Sequence, residues 1–219
     1  MAHSRYISID VEACATGRGH NDRSPCQVAV VDDDGTLLLN EVICVNDIYD
    51  PMTSLTGVTR EQILAGKPFE EVRESVIQIL CPRTSIIVGC RPQGDVKWMQ
   101  LEEGIHFASI VDLSDLLKAW NDRYKNYNFF SLRKMAYGLL GTTIQDAAHS
   151  PVIDAQISLE IYRKHASDPV RMKSAIKKLS RMTYKREFPE DMGKTVIVGD
   201  ICSYKFNPKK CFCGQPTFA

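Results

Sequence analysis

Four carboxylates and one imidazole stand where chemistry would need them: Asp10 and Glu12, Asp95, and His149 with Asp154. Ile9-Asp10-Val11-Glu12 closes an apolar strand-like run, and the period-two geometry of a strand turns both acids to one face. Asp95 follows Gly89 at the point where an apolar strand gives way to a helix. In His149-Ser150-Pro151-Val152-Ile153-Asp154-Ala155, Pro151 suits the first turn of a helix, which leaves His149 on the preceding loop and Asp154 one turn inside. Singly, each has an ordinary reading: a solvated strand end, a helix N-cap, a His and an Asp with nothing between them. Together they differ. If the four acids converge, like charges about 4 Å apart repel by about 4 kcal/mol per pair at an effective dielectric of about 20. Such a cluster persists only with bound cations or raised pKa values. An all-oxygen set favours Mg²⁺ or Mn²⁺ over zinc. Two such ions about 3.5–4 Å apart stabilise the attacking and leaving oxygens of a phosphoryl displacement, and a loop histidine beside them can take the proton of the attacking water.

The elements that must position these groups are legible in outline. Tyr6–Ile9 and Cys26–Val31 read as strands, Asp32-Asp33-Asp34-Gly35 as a turn, and Thr36–Val45 as a third strand. Thr59 followed by Glu61-Gln62 reads as a short capped helix, and Pro68–Leu80 as a longer one with Phe69, Val72, Val76, Ile79 and Leu80 on one face. Ser85–Gly89 and Ser109–Asp112 are continuous apolar runs, as expected of strands buried on both faces. Helices are expected at Asp95–Leu101, Ser114–Trp120, Ser131–Leu140 and Pro151–His165, and a further short strand at Thr195–Val198. Three meandering strands followed by alternating strands and helices make a mixed-sheet α/β layer fold.

The 219 residues carry 27 Lys+Arg and 27 Asp+Glu. Residues 1–112 hold 9 basic and 17 acidic side chains, and residues 113–219 hold 18 and 10, so the neutrality conceals a net −8 half and a net +8 half. The length suits one domain with a modest appendage, and the composition excludes disorder, collagen and coiled coil as classes. No apolar run is long enough to span a bilayer. Eight cysteines show no secreted disulfide spacing, and Cys44, Cys81 and Cys90 lie beside apolar residues, so reduced thiols in an intracellular chain are expected.

Ser8-Ile9-Asp10-Val11-Glu12, Val88-Gly89 with Asp95, and the His149-to-Ala155 segment occur in the order of the three motifs of the DEDDh 3′-to-5′ exonucleases, which this chain resembles. The resemblance is greatest to the branch of RNA exonuclease 4 and the interferon-stimulated exonucleases. It extends to Val30-Val31-Asp32 with Asp34-Gly35, to Leu55-Thr56-Gly57-Val58-Thr59 and to Ser131-Leu132, and covers about residues 5–165. It implies a ribonuclease H-like mixed β-sheet flanked by helices. Asp10, Glu12, Asp95 and Asp154 would bind two divalent ions, His149 would be the general base, and the product would be a nucleoside 5′-monophosphate. It also implies that Val58 packs against the terminal base, unless it is simply core, that the backbone at Ala13 approaches the nucleotide, and that Thr56 contacts the substrate.

Three departures stand out. Met52-Thr53-Ser54 replaces an arginine-containing stretch, and Gly89-Cys90 replaces Gly-His. Between the first two strands the chain inserts Gly17-Arg18-Gly19-His20-Asn21-Asp22-Arg23, where Arg18, His20 and Arg23 could meet phosphates or lie on a solvated glycine-rich loop. His106 beside Phe107 reads as a packed surface histidine. The basic stretch from Arg163 to Arg186 is either a solvated helix face or an attractor of nucleic-acid backbone. Cys211-x-Cys213-Gly214-x-Pro216 resembles the opening of a GRF-type zinc knuckle. A structural Zn²⁺ needs four ligands, and only Cys202 is nearby as a third.

The expectation is therefore an α/β exonuclease domain over 1–165 with a small basic extension over 166–219. Its substrate would be a single-stranded 3′ end, with RNA favoured over DNA on the strength of the branch. It would have no membrane partner and would act in the nucleus or cytoplasm. The rivals are a DNA exonuclease of the same fold and an idle nucleic-acid-binding module, and the second predicts a broken constellation.

Overall fold

The computed structural model describes residues 4–182, apart from positions 20 and 147. Three antiparallel strands open it: β1 (Arg5–Ala15), β2 (Arg23–Asp32) and β3 (Leu37–Val42). The β2–β3 turn works because Gly35 takes φ 93°, a left-handed value that costs glycine little. Next come α1 (Thr53–Thr56), α2 (Arg60–Leu64), α3 (Phe69–Ile79), β4 (Ser85–Gly89), α4 (Gln93–Trp98), β5 (Ser109–Asp112) and α5 (Leu113–Leu116). A hairpin of β6 (Ala119–Asn121) and β7 (Asn126–Asn128) leads to α6 (Leu132–Met135), α7 (Pro151–Ile161) and α8 (Pro169–Arg181). Helices α6 and α7 each run on into a π-helical turn, at Ala136–Leu140 and Tyr162–Ala166.

The main sheet has the order β3-β2-β1-β4-β5. Strand β4 is parallel to β1, and β5 is parallel to β4. Strand alternation assigns the apolar runs to two faces. Val28, Val30 and Ile87 enter a core with Val72, Val76, Met99 and Phe107, under α3 and α4. Val31 and Val88 enter another with Leu113, Leu117, Met135, Ala155 and Leu159, under α6 and α7. That is why Val28–Val31 and Ile86–Val88 read as unbroken apolar runs. A third and smaller cluster joins Cys14, Cys26, Val45, Ile48, Val58 and Ile63.

Local chemistry explains where the helices begin. Thr59 and Gln62 form a reciprocal capping box on α2. Pro151 and Pro169 open α7 and α8, and the Asp168 carboxylate accepts the amides of Val170 and Arg171. The core does not end at His165: Ala175 and Leu179 of α8 belong to the same buried cluster as Leu159 and Ile161.

The structure corrects two expectations. Ser114–Trp120 is not one helix: α5 ends at Leu116, and Trp120 lies in the β6–β7 hairpin, in register with Tyr127. Strand β5 was expected to be buried on both faces, but it is the sheet edge and is half-buried throughout. The five described cysteines are free. Cys14 and Cys26 are buried, whereas Cys81 is exposed rather than packed. Thr195–Val198 and Cys202, Cys211 and Cys213 lie outside the described residues, as does His20. No helix among the described residues is long and apolar enough to cross a membrane.

Candidate active site

The middle of β1 supplies two carboxylates. Asp10 and Glu12 are in register with Ala29 and Gln27 of β2, and the pairing shifts by one residue immediately after Glu12. On its other side β1 pairs with β4 only through Arg5 to Ile7, so the Val11 amide has no strand partner there. Asp95, in the first turn of α4, takes it: its Oδ1 accepts from Val11 N at 3.0 Å. This bond ties the start of α4 to β1 between Asp10 and Glu12, which brings the third carboxylate to the other two.

Helix α7 brings the fourth. It packs on β1 and β2 and is buried along most of its length, so Asp154 is only 3% exposed. Gln145 Nε2 donates to Asp154 Oδ2 at 2.7 Å, while Asp154 Oδ1 is buried without a partner. His149 Nδ1 lies 3.7 Å from both Glu12 Oε1 and Asp154 Oδ2. One ligand atom each from Glu12, His149 and Asp154 lies within 4.8 Å of the others. The histidine loop is held from outside the helix. His149 N donates to Leu55 O at 2.6 Å, and Gly57, at φ 75°, takes a left-handed turn beside Ala148 and His149 that suits glycine.

The electrostatics follow from crowding four acids in a dry place. Burial raises all four pKa values, and neighbouring carboxylates add to the effect on Asp10, Glu12 and Asp95. Asp10, beside Asp95, Asp154 and Glu12, is held well above the ordinary carboxylate range. Glu12 is pushed up to about 8 and Asp95 to about 7, the latter despite the Val11 amide. Asp154 reaches about 6, restrained by the Gln145 bond. Burial and then the Arg133 charge lower His149, which keeps its imidazole neutral at pH 7.

An orphaned buried carboxylate oxygen beside three further carboxylates is a donor set that fits a hard divalent cation such as Mg²⁺ or Mn²⁺. One consequence is measurable without substrate. The stability tied to a carboxylate with a raised folded pKa is fully present below its unfolded value and is lost progressively as pH rises through the folded value. The cation-free protein should therefore melt progressively lower between about pH 5 and about pH 8, by a few kcal/mol in sum. His149 has the opposite sign but is a single group with a small lever. Melting curves in EDTA across this range test the point, and added Mn²⁺ should remove the decline. A flat profile in EDTA would show that the four carboxylates do not repel.

The remaining sequence candidates fall elsewhere around this centre. Ala13 is half-buried at the register shift beside Glu12. Thr56 is 1% exposed, its hydroxyl donating to the carbonyls of Pro51 and Met52 and accepting from Val58 N. Val58 is enclosed in the third cluster at 4% exposure, the core placement that stood as the alternative to a contact with the terminal base. Arg23 is half-buried opposite Ala15, with Asp50 and Asp22 near its guanidinium. His106 serves the fold: its Nδ1 accepts from Glu102 N at 2.9 Å.

Two residues that serve this centre were not singled out in the sequence. Gln145 orients Asp154 from a backbone at φ 59°, a left-handed conformation that no neighbouring glycine announces. Arg133, paired with Asp146 at 2.5 Å, supplies the charge that helps keep His149 neutral.

No protein-family profile matches the chain. It is 27% identical over 165 residues to an RNA exonuclease 4 of Cryptococcus neoformans, covering 75% of this chain and 39% of that protein. It is 28% identical to an RNA exonuclease 4 of Gibberella zeae, covering 74% and 50%. It is 30% identical to an interferon-stimulated 20 kDa exonuclease-like 2 of Bos taurus, covering 73% and 46%. The chain thus spans half or less of these relatives' length. Among solved structures, the Neurospora crassa Pan2 catalytic unit (protease and nuclease domain) superposes with a TM-score of 0.66 at 17% identity, over 84% of this chain and 31% of that one. A Saccharomyces cerevisiae Pan2 module in complex with AAUUAA RNA gives 0.63 at 17%, over 79% and 31%.

Proposed function

For a chain that is a homologue of the DEDDh-type RNA exonucleases on a ribonuclease H-like fold, we propose a divalent-cation-dependent 3′-to-5′ exonuclease acting on single-stranded 3′ ends, with RNA preferred. The observation that carries this reading is the meeting of Glu12, His149 and Asp154 within 4.8 Å, with an unpartnered Asp154 oxygen among them. Asp10, Glu12, Asp95 and Asp154 would hold two Mg²⁺ or Mn²⁺ ions, which when bound supply charge opposite the attacking and leaving oxygens.

The protein's own groups do the rest. The Val11–Asp95 bond and the burial of α7 fix the four carboxylates before substrate arrives, so little reorganisation is left for the reaction. His149, neutral at pH 7 and on a loop held by Leu55, accepts the proton of the attacking water. Attack at the terminal phosphodiester releases a nucleoside 5′-monophosphate and leaves a strand one residue shorter with a free 3′-hydroxyl. The preference for RNA is supported by the names of the relatives.

The test is a time course on matched single-stranded RNA and DNA carrying a 3′-terminal label. Labelled 5′-mononucleotide should appear first, only with Mg²⁺ or Mn²⁺, and faster from RNA. Degradation that persists in EDTA, or begins in the middle of the strand, would refute the reading.

A further inference from the structure

Among the described residues, the largest concentration of exposed aromatic side chains is on and beside the β6–β7 hairpin. Trp120, Tyr124, Tyr127 and Phe129 are 50%, 65%, 48% and 49% exposed, within ten residues of chain. A folded protein ordinarily hides such side chains, and a contiguous exposed group of them marks a contact surface. The rings are held in place. Trp120 and Tyr127 stand edge to face at 5.2 Å, and Trp120 Nε1 donates to Asp122 Oδ1 at 3.0 Å. Lys118 Nζ lies 4.8 Å from the Tyr127 ring and 5.9 Å from the Phe129 ring, and Arg123 lies 5.4 Å from the Tyr124 ring.

The hairpin itself has little net charge to offer, since Lys118 and Lys125 are paired with Asp115 and Asp122. The charge comes from its neighbour. Helix α8 packs against β6. It buries Ala175 and Leu179 and exposes Arg171, Lys173, Lys177, Lys178 and Arg181, with no acid in its 13 residues. Arg171 is shared with the cap Asp168, whereas no ion pair involves Lys173, Lys177, Lys178 or Arg181 among the described residues. Stackable rings beside a strip of cations are the two components of a sequence-tolerant single-strand platform: bases stack on the rings and phosphates track the charge.

The topology sends the chain toward Asp95 and toward the hairpin from the same end of the sheet. Gly89 and Asp112 are register partners at the ends of the parallel strands β4 and β5. The Asp112 carboxylate accepts the amides of Arg91 and Ser114, which ties together the two exits. From one exit the chain leads to Asp95, and from the other to the hairpin. From the hairpin it continues into α6, where Arg133 acts on His149.

We propose that the β6–β7 aromatic face and the basic face of α8 together bind the body of a single-stranded nucleic acid whose 3′ end occupies the carboxylate site. This rests on the exonuclease reading for the 3′ end, but not for the surface itself. A polyanion is favoured over an apolar protein partner because the hairpin packs on a helix whose exposed Lys173, Lys177, Lys178 and Arg181 make no ion pair among the described residues.

The measurement is equilibrium binding of fluorescent single strands of about 3, 6 and 15 nucleotides to Asp10→Asn protein with EDTA present. Affinity should rise steeply with length. Trp120→Ala combined with Phe129→Ala should remove about 5- to 150-fold of that gain for each stacked base lost. Lys177→Glu, Lys178→Glu and Arg181→Glu together should flatten the dependence of log K on log salt by about 2. Replacing the upstream bases by abasic sites should mimic the aromatic variant but not the charge variant. Melting temperatures establish that each variant is folded, and Tyr124→Ala serves if the Trp120 variant is not. A gain with length that survives both sets of substitutions in folded protein would overturn the proposal and point to a protein partner for the aromatic face. Length-dependent binding that requires both faces, in a protein that never shortens a 3′ end, would overturn the exonuclease reading while leaving the platform in place.

Discussion

Asp10→Asn protein should release no measurable mononucleotide, a loss of about 10³-fold or more, while melting higher than its parent in EDTA. The first half follows from position. Asp10 stands on β1 among Glu12, Asp95 and Asp154, where charge opposite the reacting oxygens is worth several kcal/mol, and each 1.36 kcal/mol is tenfold in rate. The second half follows from the same crowding. The charged form of Asp10 is disfavoured first by burial and then by three like charges, so a neutral amide of the same shape relieves the cation-free fold. A gain of about 1–2 kcal/mol would raise the melting temperature by about 2–8 °C in a chain of this size. The pair of results discriminates. Inactivity with a lower melting temperature would mean simple damage, and retained activity would remove Asp10 from the centre altogether.

His149→Ala should lower kcat by about 10²- to 10⁴-fold with KM nearly unchanged, because a positioned general base acts on the chemical step and not on substrate capture. The pH profile carries the stronger signature. His149 titrates below its ordinary value because it is buried and faces Arg133, so with Mg²⁺ saturating, which holds the carboxylates ionised, the rate of the parent should climb through an acid limb below about pH 6.5 and then level off. The alanine variant should lose that limb. Arg133→Gln should move it upward, since removing the positive charge lets the imidazole hold its proton longer. A His149→Ala profile that keeps the acid limb would assign it to another group and leave His149 as a loop anchor.

The sequence order of strands and helices anticipated the five-stranded sheet because its two-faced burial leaves unbroken apolar runs at Val28–Val31 and Ile86–Val88. The hairpin was missed for an equally physical reason. Asp122 to Lys125 lacks the Asn-Gly or Asp-Gly signal of a tight turn, and Lys125 itself takes φ 51°. Its first strand, ending near Trp120, continues the helical pattern expected over Ser114–Trp120. Met52 at φ 54° and Gln145 at φ 59° hide two further turns in the same way. The five candidate residues were legible as a set, since each stands at an element terminus or on one strand face, and their roles came from the resemblance. The supports of the site, Gln145 and Arg133, could not, since an amide 9 residues and an arginine 21 residues before Asp154 carry no periodic signal.

The three apolar clusters are unequal, and the smallest is the one beneath the catalytic surround. Cys14, Cys26, Val45, Ile48, Val58 and Ile63 form it, and the segment above it, through Leu55 O, holds the backbone of His149. Regions with little buried apolar area open at a lower free energy than the whole molecule. The histidine is thus anchored to the smallest cluster, which should open at a lower free energy than the other two, while the carboxylates of β1 and α7 rest on the two large clusters. Mild heating or dilute denaturant should release His149 before the acids disperse, so that, on the proposed mechanism, activity fails while the acidic centre remains assembled.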